Sequence, residues 1–277
     1  MTQPGTPQPA RLSVQRATTL AVVAAQLGVS RTTVSNAYNR PGQLSPELRE
    51  RVLSAARQLG YPGPDPVARS LRTKQAGAVG LLFTEALSYA FGDPAAVLTL
   101  RGLAAACEGA RTGLLLVPGI CDVVDRDQPA LAARAAVDGF VAYSLPRGDP
   151  QLQAVLDRPV PLVVIDAPVT MVEADWVGID DLQAATDLGE HLAALGHRDV
   201  GVVATKLGEQ PHTGLVPVRA QRESAFDVVR QRIAGLAAGL GVDQAQLPVV
   251  ECPEHSVDAA QLACRQLLAA TPGLTAV

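Results

Sequence analysis

From residue 78 to the end of the chain, short apolar runs alternate with segments of helical periodicity, and this alternation restricts the fold more than any other feature. The first run, Ala78–Phe83, is continuously apolar, as in strands that are buried on both faces of a parallel sheet. Regular alternation of strands and helices is typical of doubly wound parallel sheets, which bind ligands at the carboxyl ends of their strands. The pattern therefore predicts an α/β fold with a binding site at strand ends.

The predicted strands and helices form two successive series, which indicate two lobes facing a cleft. The first series has predicted strands at 78–83, 113–117, 139–143 and 161–165, and helices at 95–110, 129–136 and 150–156. The second series has predicted strands at 176–179, 200–204 and 247–251, and helices at 182–195, 222–239 and 256–270. We therefore expect a bilobal core of two doubly wound parallel sheets.

The first part of the chain has a different pattern, that of three short helices. Thr19 is a suitable N-cap for a helix whose apolar positions share one face, and Gly28 is suited to end it. Ser30 is placed to cap a second helix at 31–39, and Pro46 follows a serine at the start of a third. Two short helices joined by a three- to four-residue turn that contains glycine form a helix-turn-helix.

Charge divides the chain at the same place. Up to residue 75 there are ten Lys and Arg residues against three Asp and Glu, whereas the rest of the chain has thirteen against twenty-four. A basic head on an acidic body is the asymmetry expected when only the head meets a polyanion. The alternative is that the head's charges only keep a small domain in solution, so charge alone does not decide between the two.

Residues 24–39, with the sequence AAQLGVSRTTVSNAYN, resemble the helix-turn-helix signature of LacI/GalR-type transcriptional repressors. Segments 49–62, 66–72 and 177–198 resemble the same family in order and spacing. The resemblance covers residues 18–277. It implies an all-α helix-turn-helix head on an α/β core like that of periplasmic binding proteins. It also implies a sequence-specific DNA-binding regulator, a repressor whose operator affinity is controlled by a small molecule bound between two lobes.

The resemblance also implies a role for individual residues of the head. The positions that match its base-reading side chains are Arg31, Thr32 and Asn36. Those that match its phosphate contacts are Thr19, Ser30, Ser35 and Asn39. The match to the family's hinge, residues 66–72, includes Leu71, which corresponds to a leucine that wedges between bases in the minor groove, and Arg72. Without the resemblance, Leu71 is equally well explained as a linker residue packed against the core.

The resulting division of the chain has four segments. We expect a disordered tail at 1–16, a helix-turn-helix domain at 17–62, a hinge or linker at 63–76 and an effector-binding core at 77–277. Within the core, the first lobe is expected at about 77–175 and the second at about 176–277.

Effector-binding residues are expected in the loops at strand ends. Arg222 matches the family's cleft arginine, which hydrogen-bonds effector oxygens through its guanidinium group. The other candidates are Tyr89, Phe91, Tyr143, Asp166 and His255. Their alternatives are core packing for the aromatic residues, a helix cap for the aspartate and plain surface exposure for the histidine. Because aromatic residues are only 3% of the chain, a stacking platform for a sugar has little support, and a sugar, a nucleobase and an acid all stay open.

Several classes of protein are disfavoured by what the sequence lacks. It contains no P-loop, G-x-S-x-G or H-E-x-x-H motif and no paired metal-ligand cluster, so we expect no enzyme activity, cofactor or metal. The four cysteines are widely spaced, which disfavours a disulfide scaffold and favours a reducing cytoplasm. No apolar run is long enough for a membrane helix, and the apolar stretch at 20–25 is too short for the core of an export signal. We therefore expect no membrane partner.

The expected partners are double-stranded DNA with a near-palindromic operator, a small-molecule effector and a second copy of the chain in a homodimer. One alternative is a solute-binding protein of the same bilobal type, which the basic head and the lack of an export signal disfavour. Because LacI/GalR-type proteins continue for several dozen residues beyond the position of Val277, we also expect a truncated second lobe. The other alternative is accordingly a regulator that no longer responds to an effector.

Overall fold

The computed structural model describes residues 18–83, 87–119, 130–166, 174–208, 212–252, 254 and 256–277; for residues 66, 67, 69, 88 and 89 it describes only the backbone. The chain divides into two compact units, Met1–Gln75 and Ala76–Val277. The tail expected at 1–16 and the candidate His255 lie outside the described residues.

Three helices of the first unit pack on one another, and a fourth follows in the predicted hinge. They are α1 (Leu20–Leu27), α2 (Arg31–Asn39), α3 (Pro46–Gln58) and α4 (Pro66–Thr73), with a 3-10 turn at Pro41–Gln43. Gly28 ends α1 with a φ of 66°, a left-handed conformation that glycine adopts without strain. The Ser30 hydroxyl caps α2 by accepting a hydrogen bond of 3.0 Å from the Thr33 N–H. The local signals in the sequence thus form the predicted helix-turn-helix.

Small apolar side chains from α1, α2 and α3 form the core of the head. The buried members are Val23, Ala24, Val34, Ala37, Val52 and Ala56. Tyr38 and Tyr61 lie beside this core with their rings edge to face and the ring centroids 5.9 Å apart. Because Val34 and Ala37 are the buried residues of α2, its polar side chains remain on the other faces of the helix.

A five-stranded parallel sheet forms the first lobe of the second unit. Its strands are β1 (Ala78–Phe83), β2 (Gly113–Val117), β3 (Gly139–Tyr143), β4 (Leu162–Ile165) and β5 (Asp175–Val177), in the order β2-β1-β3-β4-β5. The helices between them are α5 (Leu87–Ala90), α6 (Pro94–Ala110), α7 (Leu131–Arg134) and α8 (Pro150–Leu156). The strand order reverses between β1 and β3, where Phe83 lies opposite Tyr143. Doubly wound sheets bind their ligands at this kind of reversal.

Both faces of the first sheet are covered, which explains the continuously apolar strand in the sequence. Leu82 and Phe140 pack on one face with side chains of α7 and α8. Leu81 and Phe83 pack on the other face with side chains of α5 and α6. Adjacent residues of one strand point to opposite faces, so a strand with a core on each side has no position for a polar side chain.

The second lobe is built on a three-stranded sheet. Its elements are α9 (Asp181–Ala194), β6 (Val202–Ala204), β7 (Gly214–Leu215), α10 (Val218–Arg222), α11 (Asp227–Leu240), β8 (Val249–Glu251) and α12 (Val257–Ala270). The strand order is β6-β8-β7, with β6 parallel and β7 antiparallel to β8. Near the C-terminal end, Ala276 forms a parallel bridge with Val200 beside this sheet.

The α/β class and the bilobal core agree with the sequence-based prediction, and the structure corrects three details. The strand predicted at 176–179 to begin the second lobe is β5, which pairs with β4 at the edge of the first sheet. The helix predicted at 222–239 is interrupted, because α10 ends at Arg222 and α11 begins at Asp227. The second sheet is also not wholly parallel, since the unpredicted strand β7 runs antiparallel to β8.

Glycines allow α9 and α11 to pack with their backbones in contact. A Cβ atom at Gly239 would collide with the Thr186 carbonyl oxygen and lie 2.8 Å from the Glu190 nitrogen. A Cβ atom at Gly235 would collide with the Leu182 carbonyl oxygen. Glycines four residues apart on one helix share a face, so they form a flat strip against which the facing backbone lies.

Replacing Gly239 with alanine should therefore destabilise the second lobe. We expect a loss of about 1–3 kcal/mol in the free energy of unfolding, because the two helices must move apart to admit the methyl group. The matched control is Gly102→Ala on α6, where a Cβ atom meets nothing within 4 Å. That change should be neutral or stabilise by up to about 1 kcal/mol. Urea unfolding followed by circular dichroism measures both, and equal stability of the two variants would contradict the packing argument.

Candidate nucleic-acid interface and interlobe cavity

The exposed side of α2 presents the short polar side chains that the sequence marks for base reading. Arg31 and Thr32 lie in its first turn with exposed side chains. Asn36 follows one turn later, and its Nδ2 donates a hydrogen bond of 3.1 Å to Oε1 of Gln43. Amide and guanidinium groups on a helix can form paired hydrogen bonds with base edges in a major groove. The structure brings all three candidates onto one short helix.

The residues predicted to contact phosphates lie around the same helix and at the start of α1. Ser30 is the N-cap of α2, and Asn39 Nδ2 donates to the Ser35 carbonyl oxygen at 3.1 Å near the other end. Thr19 is the exposed N-cap residue of α1, where its side chain makes no capping hydrogen bond. Helix N-termini favour anions because their first N–H groups have no partner within the helix.

The predicted hinge segment is helical and carries an unusually exposed leucine. Leu71 lies on α4 with 76% of its surface exposed, and the next residue, Arg72, is also exposed. The position of Leu71 leaves its side chain available for contact with another molecule.

A cavity of about 220 Å³ lies between the strand ends of the two lobes. From the first lobe it is lined by residues that include Phe83, Asp93, Tyr143, Ser144 and Asp166. From the second lobe its lining includes Thr205, Lys206, Phe226, Val229 and Arg232. The cavity therefore occupies the strand-order reversal of the first sheet, with α11 and the end of β6 opposite.

Aromatic rings line the cavity even though they are rare in the chain. The rings of Phe83 and Tyr143 meet edge to face with centroids 6.1 Å apart, and both line the cavity from the first lobe. Phe226 lines it from the second lobe, and Lys206 Nζ lies 6.0 Å from the centroid of that ring. The fold thus brings three of the few aromatic residues together in one cavity wall. The low aromatic content of the chain therefore does not mean that the cavity lacks apolar surface.

Two residues of the cavity wall have a left-handed backbone although neither is glycine. Ser144 directly follows β3 with a φ of 50°, and Asp166 directly follows β4 with a φ of 52°. This conformation is uncommon for residues with a Cβ atom and is found more often at ligand sites than elsewhere. It makes the chain turn sharply as each strand reaches the cavity.

The charged groups of the cavity influence one another. Burial raises the pKa of the Asp166 carboxyl, the negative charge of Asp181 raises it further, and the positive charge of Arg232 opposes both. Arg232 Nε in turn donates to Oδ1 of Asp181 at 2.7 Å. Burial also raises the pKa of the Tyr143 phenol. Carboxyl, phenol, guanidinium and ammonium groups thus all line the cavity.

A buried carboxylate that binds the chain next to a cavity residue was not identified from the sequence. Glu251 ends β8 with 4% of its surface exposed, and its Oε1 accepts a hydrogen bond of 3.2 Å from the Leu207 N–H. Burial raises its pKa, against hydrogen bonds from the backbone of Leu207 and His212 and the positive charge of Lys206. Glu251 therefore ties the loop after β6, which carries the cavity residue Lys206, to the sheet. The one signal in the sequence is a charged residue at the end of an apolar strand.

The effector candidates from the sequence are only partly brought together. Tyr143 and Asp166 line the cavity. Arg222 does not, because it ends α10 and pairs with Asp243 at 3.4 Å. Phe91 is 59% exposed and is absent from the lining, whereas for Tyr89 only the backbone, in α5, is described. Arg232 of α11 lines the cavity, and the sequence analysis missed it because the resemblance pointed to Arg222 instead.

Within the described residues, no group of three or more His, Cys, Asp or Glu side chains is arranged to hold a metal ion. In the same part of the chain, no helix has the length and apolar character that a membrane span requires. Cys107, Cys252 and Cys264 are free thiols.

The raised pKa of Glu251 predicts a pH dependence of stability. At a pH just above 4.5, the ordinary pKa of a glutamate, Glu251 keeps its proton in the folded protein but has released it in the unfolded chain. Folding stability from this group is therefore greatest below about pH 4.5 and falls as the pH rises through the folded pKa. Glu251→Gln should remove this contribution, so the stability of the wild type relative to the variant should decrease between about pH 4.5 and 7.5.

Urea unfolding at several pH values in this range measures the difference. The control is Glu190→Gln, a change at an exposed position of α9, which should leave the shape of the pH profile as it is in the wild type. If the difference in free energy of unfolding between wild type and Glu251→Gln stayed constant with pH, burial would not raise the pKa of this carboxyl.

Comparison with known proteins identifies the family. Residues 19–63 match the profile of bacterial regulatory proteins of the lacI family. An HTH-type transcriptional regulator of Mycobacterium tuberculosis is 48% identical over 95% of this chain and 74% of its own length. The HTH-type transcriptional regulator IpsA of Corynebacterium glutamicum is 40% identical over 94% of this chain and 73% of its own length.

Solved structures agree with the sequence relatives. A LacI family transcriptional regulator from Corynebacterium glutamicum is 35% identical, with a TM-score of 0.64 over 94% of this chain and 74% of its own. The transcriptional regulator CelR in complex with cellobiose is 25% identical, with a TM-score of 0.56 over 93% of this chain and 72% of its own. The protein therefore belongs to the LacI family of bacterial regulatory proteins and is a helix-turn-helix, DNA-binding transcriptional regulator.

Proposed function

We propose that the protein represses transcription as a homodimer in the cytoplasm, with α2 in the major groove of a near-palindromic operator. The observation that carries the proposal is the polar, outward side of α2, held in place by the buried Val34 and Ala37. Two heads related by a two-fold axis would meet two half-sites of opposite direction. In this arrangement the base-reading side chains are Arg31, Thr32 and Asn36.

Phosphate contacts and the hinge complete the proposed DNA interface. Side chains and helix N-termini position such a head on the backbone without reading sequence. We assign that role to Thr19, Ser30, Ser35 and Asn39. Leu71, exposed on α4 and followed by Arg72, is suited to enter the minor groove as an apolar wedge that opens a base step. The helix-turn-helix at 17–62 and the hinge at 63–76 would then act together on one operator, under the control of the core at 77–277.

The interlobe cavity is the proposed effector site, and a small polyhydroxylated compound of the sugar type is the proposed effector. Asp166 and Arg232 offer an acceptor and a donor fork that suit neighbouring hydroxyl groups, while Phe83, Tyr143 and Phe226 offer apolar faces. The solved CelR structure contains cellobiose, a sugar. No catalytic role is assigned to the cavity, because the relatives are transcriptional regulators.

The DNA assignment predicts a loss of specificity on changing the base-reading side chains. The operator is first obtained by selecting bound duplexes from a random pool with the full chain. Arg31→Ala and Asn36→Ala should each weaken binding to that operator by about 1–3 kcal/mol, while binding to random duplex changes much less. Fluorescence anisotropy titrations at fixed salt measure both affinities.

The matched control for charge is Arg51→Ala, at an exposed position of α3. It removes the same positive charge without changing α2, so it should preserve the ratio of specific to random binding. If Arg31→Ala and Asn36→Ala lowered the affinity equally for all duplexes, base reading by these residues would be excluded.

The effector assignment predicts that ligand binding depends on Asp166, which lines the cavity, and not on Arg222. Arg232 and Asp166 line the cavity and Arg222 does not, so Asp166→Asn should weaken binding of a sugar-type ligand about 10- to 100-fold, whereas Arg222→Ala should leave it unchanged. A panel of sugars, nucleobases and small acids is screened by thermal shift, and hits are titrated by calorimetry. A ligand whose affinity depends on Arg222 and not on Asp166 would place the site elsewhere.

A further inference from the structure

Arg147 joins the two lobes through three contacts of its own. It lies in the turn between β3 and α8 of the first lobe. Its backbone N–H donates to the Ala225 carbonyl oxygen at 2.9 Å, and its Nη2 donates to the Ser224 carbonyl oxygen at 2.9 Å. The same Nη2 lies 2.9 Å from Oδ1 of Asp227. All three acceptors belong to the second lobe, where the chain passes from α10 to α11.

The segment that receives Arg147 is fixed within the second lobe by a continuous set of hydrogen bonds. The Leu207 carbonyl oxygen accepts from the Ser224 hydroxyl and from the Ala225 N–H, each at 2.9 Å. The Leu207 N–H donates to Glu251, the buried carboxylate that ends β8. Arg147 therefore binds carbonyl groups whose positions are already determined by the second sheet.

The same contacts border the interlobe cavity on both sides. Ser144, three residues before Arg147, lines the cavity from the first lobe. Phe226 stands between two of the residues that Arg147 binds, and Lys206 directly precedes Leu207; both line the cavity from the second lobe. A ligand in the cavity thus touches the chain segments that carry the lobe contact.

The exposures of the two charged groups favour a specific contact over a loose surface pair. The Asp227 side chain is 9% exposed and the Arg147 side chain 39% exposed. Surface pairs contribute little, but a nearly buried carboxylate needs a partner because its desolvation is costly. Asp227 has a second partner, Arg230, at 3.1 Å on its own helix. Loss of Arg147 therefore leaves Asp227 partly compensated within the second lobe, which favours separation of the lobes over unfolding.

We propose that Arg147 is a positioning residue that latches the two lobes together and so sets the fraction of molecules able to bind the effector. The inference rests on the proposed function in that it takes the cavity as the effector site. When a ligand needs the two lobes together, its apparent affinity falls in proportion to the fraction of molecules in that state. Arg147 changes that fraction although it does not line the cavity itself.

We call the contacts of Arg147 with Ser224, Ala225 and Asp227 the latch. It is tested first without any ligand or DNA, by hydrogen exchange of the full chain with mass spectrometry. The backbone amide at position 147 donates to the Ala225 carbonyl oxygen. In Arg147→Met this amide should exchange about tenfold faster or more, because the substitution removes the charged partner of the nearly buried Asp227. Amides of β3 and β8 should keep their protection. Arg219→Met is the matched control, because its ion pair with Glu223 is exposed and lies within α10 and its end.

Two further variants keep the test decisive if Arg147→Met does not fold. Arg147→Lys keeps a positive charge near Asp227 but has no guanidinium fork, so it should give an intermediate acceleration. Asp227→Asn should also accelerate exchange at the Arg147 amide. Unchanged exchange at that amide in all three variants, or an equal change in Arg219→Met, would overturn the latch.

The affinity measurement separates this inference from the proposed function. With a cavity ligand found by the screen, Arg147→Met should raise its Kd by the ratio of the closed fractions of wild type and variant, which the protection of the amide at position 147 gives, and the Arg219→Met control should leave the Kd unchanged. A Kd that does not follow the closed fraction measured by exchange would show that the latch does not control binding and would overturn the inference. Failure to find any cavity ligand counts against the proposed effector site alone, since the exchange experiment is done without one.

Discussion

The close contact between α9 and α11 determines much of what the second lobe offers to a ligand. Gly235 and Gly239 bring the backbone of α11 against that of α9. One turn before Gly235, the same contact places Arg232 beside Asp181, and this pair lies close enough to Asp166 to affect its pKa. Larger residues at the glycines would separate the helices, and the arginine would then lose its position at the cavity.

The sequence predicts those parts of the fold that depend on local signals. The cap at Ser30 and the left-handed Gly28 lie close in sequence to the helices that they start and end, so α1 and α2 are found without knowledge of tertiary contacts. The strand β1 can also be predicted from the sequence, because burial of both faces makes it apolar along its whole length. For the site, the rule that ligands bind at strand ends led to Tyr143 and Asp166, and both residues line the cavity.

The remaining parts of the site depend on contacts that are distant in sequence. Arg232 lines the cavity and Arg222 does not, because the chain leaves the helical conformation between α10 and α11, where the Ser224 hydroxyl binds the backbone of Leu207 instead. The resemblance pointed to Arg222, and the helical pattern predicted at 222–239 gave no sign of this break. Glu251 and Arg147 share this difficulty, since a charged residue at a strand end or in a turn becomes informative only when its partner is known.

The charge arrangement gives a reason why a ligand would stabilise the contact between the lobes. Asp166 belongs to the first lobe and Asp181 to the second, so bringing the lobes together places two carboxylates near each other and buries one of them. Arg232 compensates only part of this cost, because it is engaged with Asp181. A ligand hydroxyl that donated to Asp166 would take the place of the water that this carboxyl loses when the lobes come together. Since a ligand shifts an equilibrium only by its difference in affinity for the two states, this hydrogen bond, which forms fully only when the cavity is complete, is the kind of interaction that couples binding to closure.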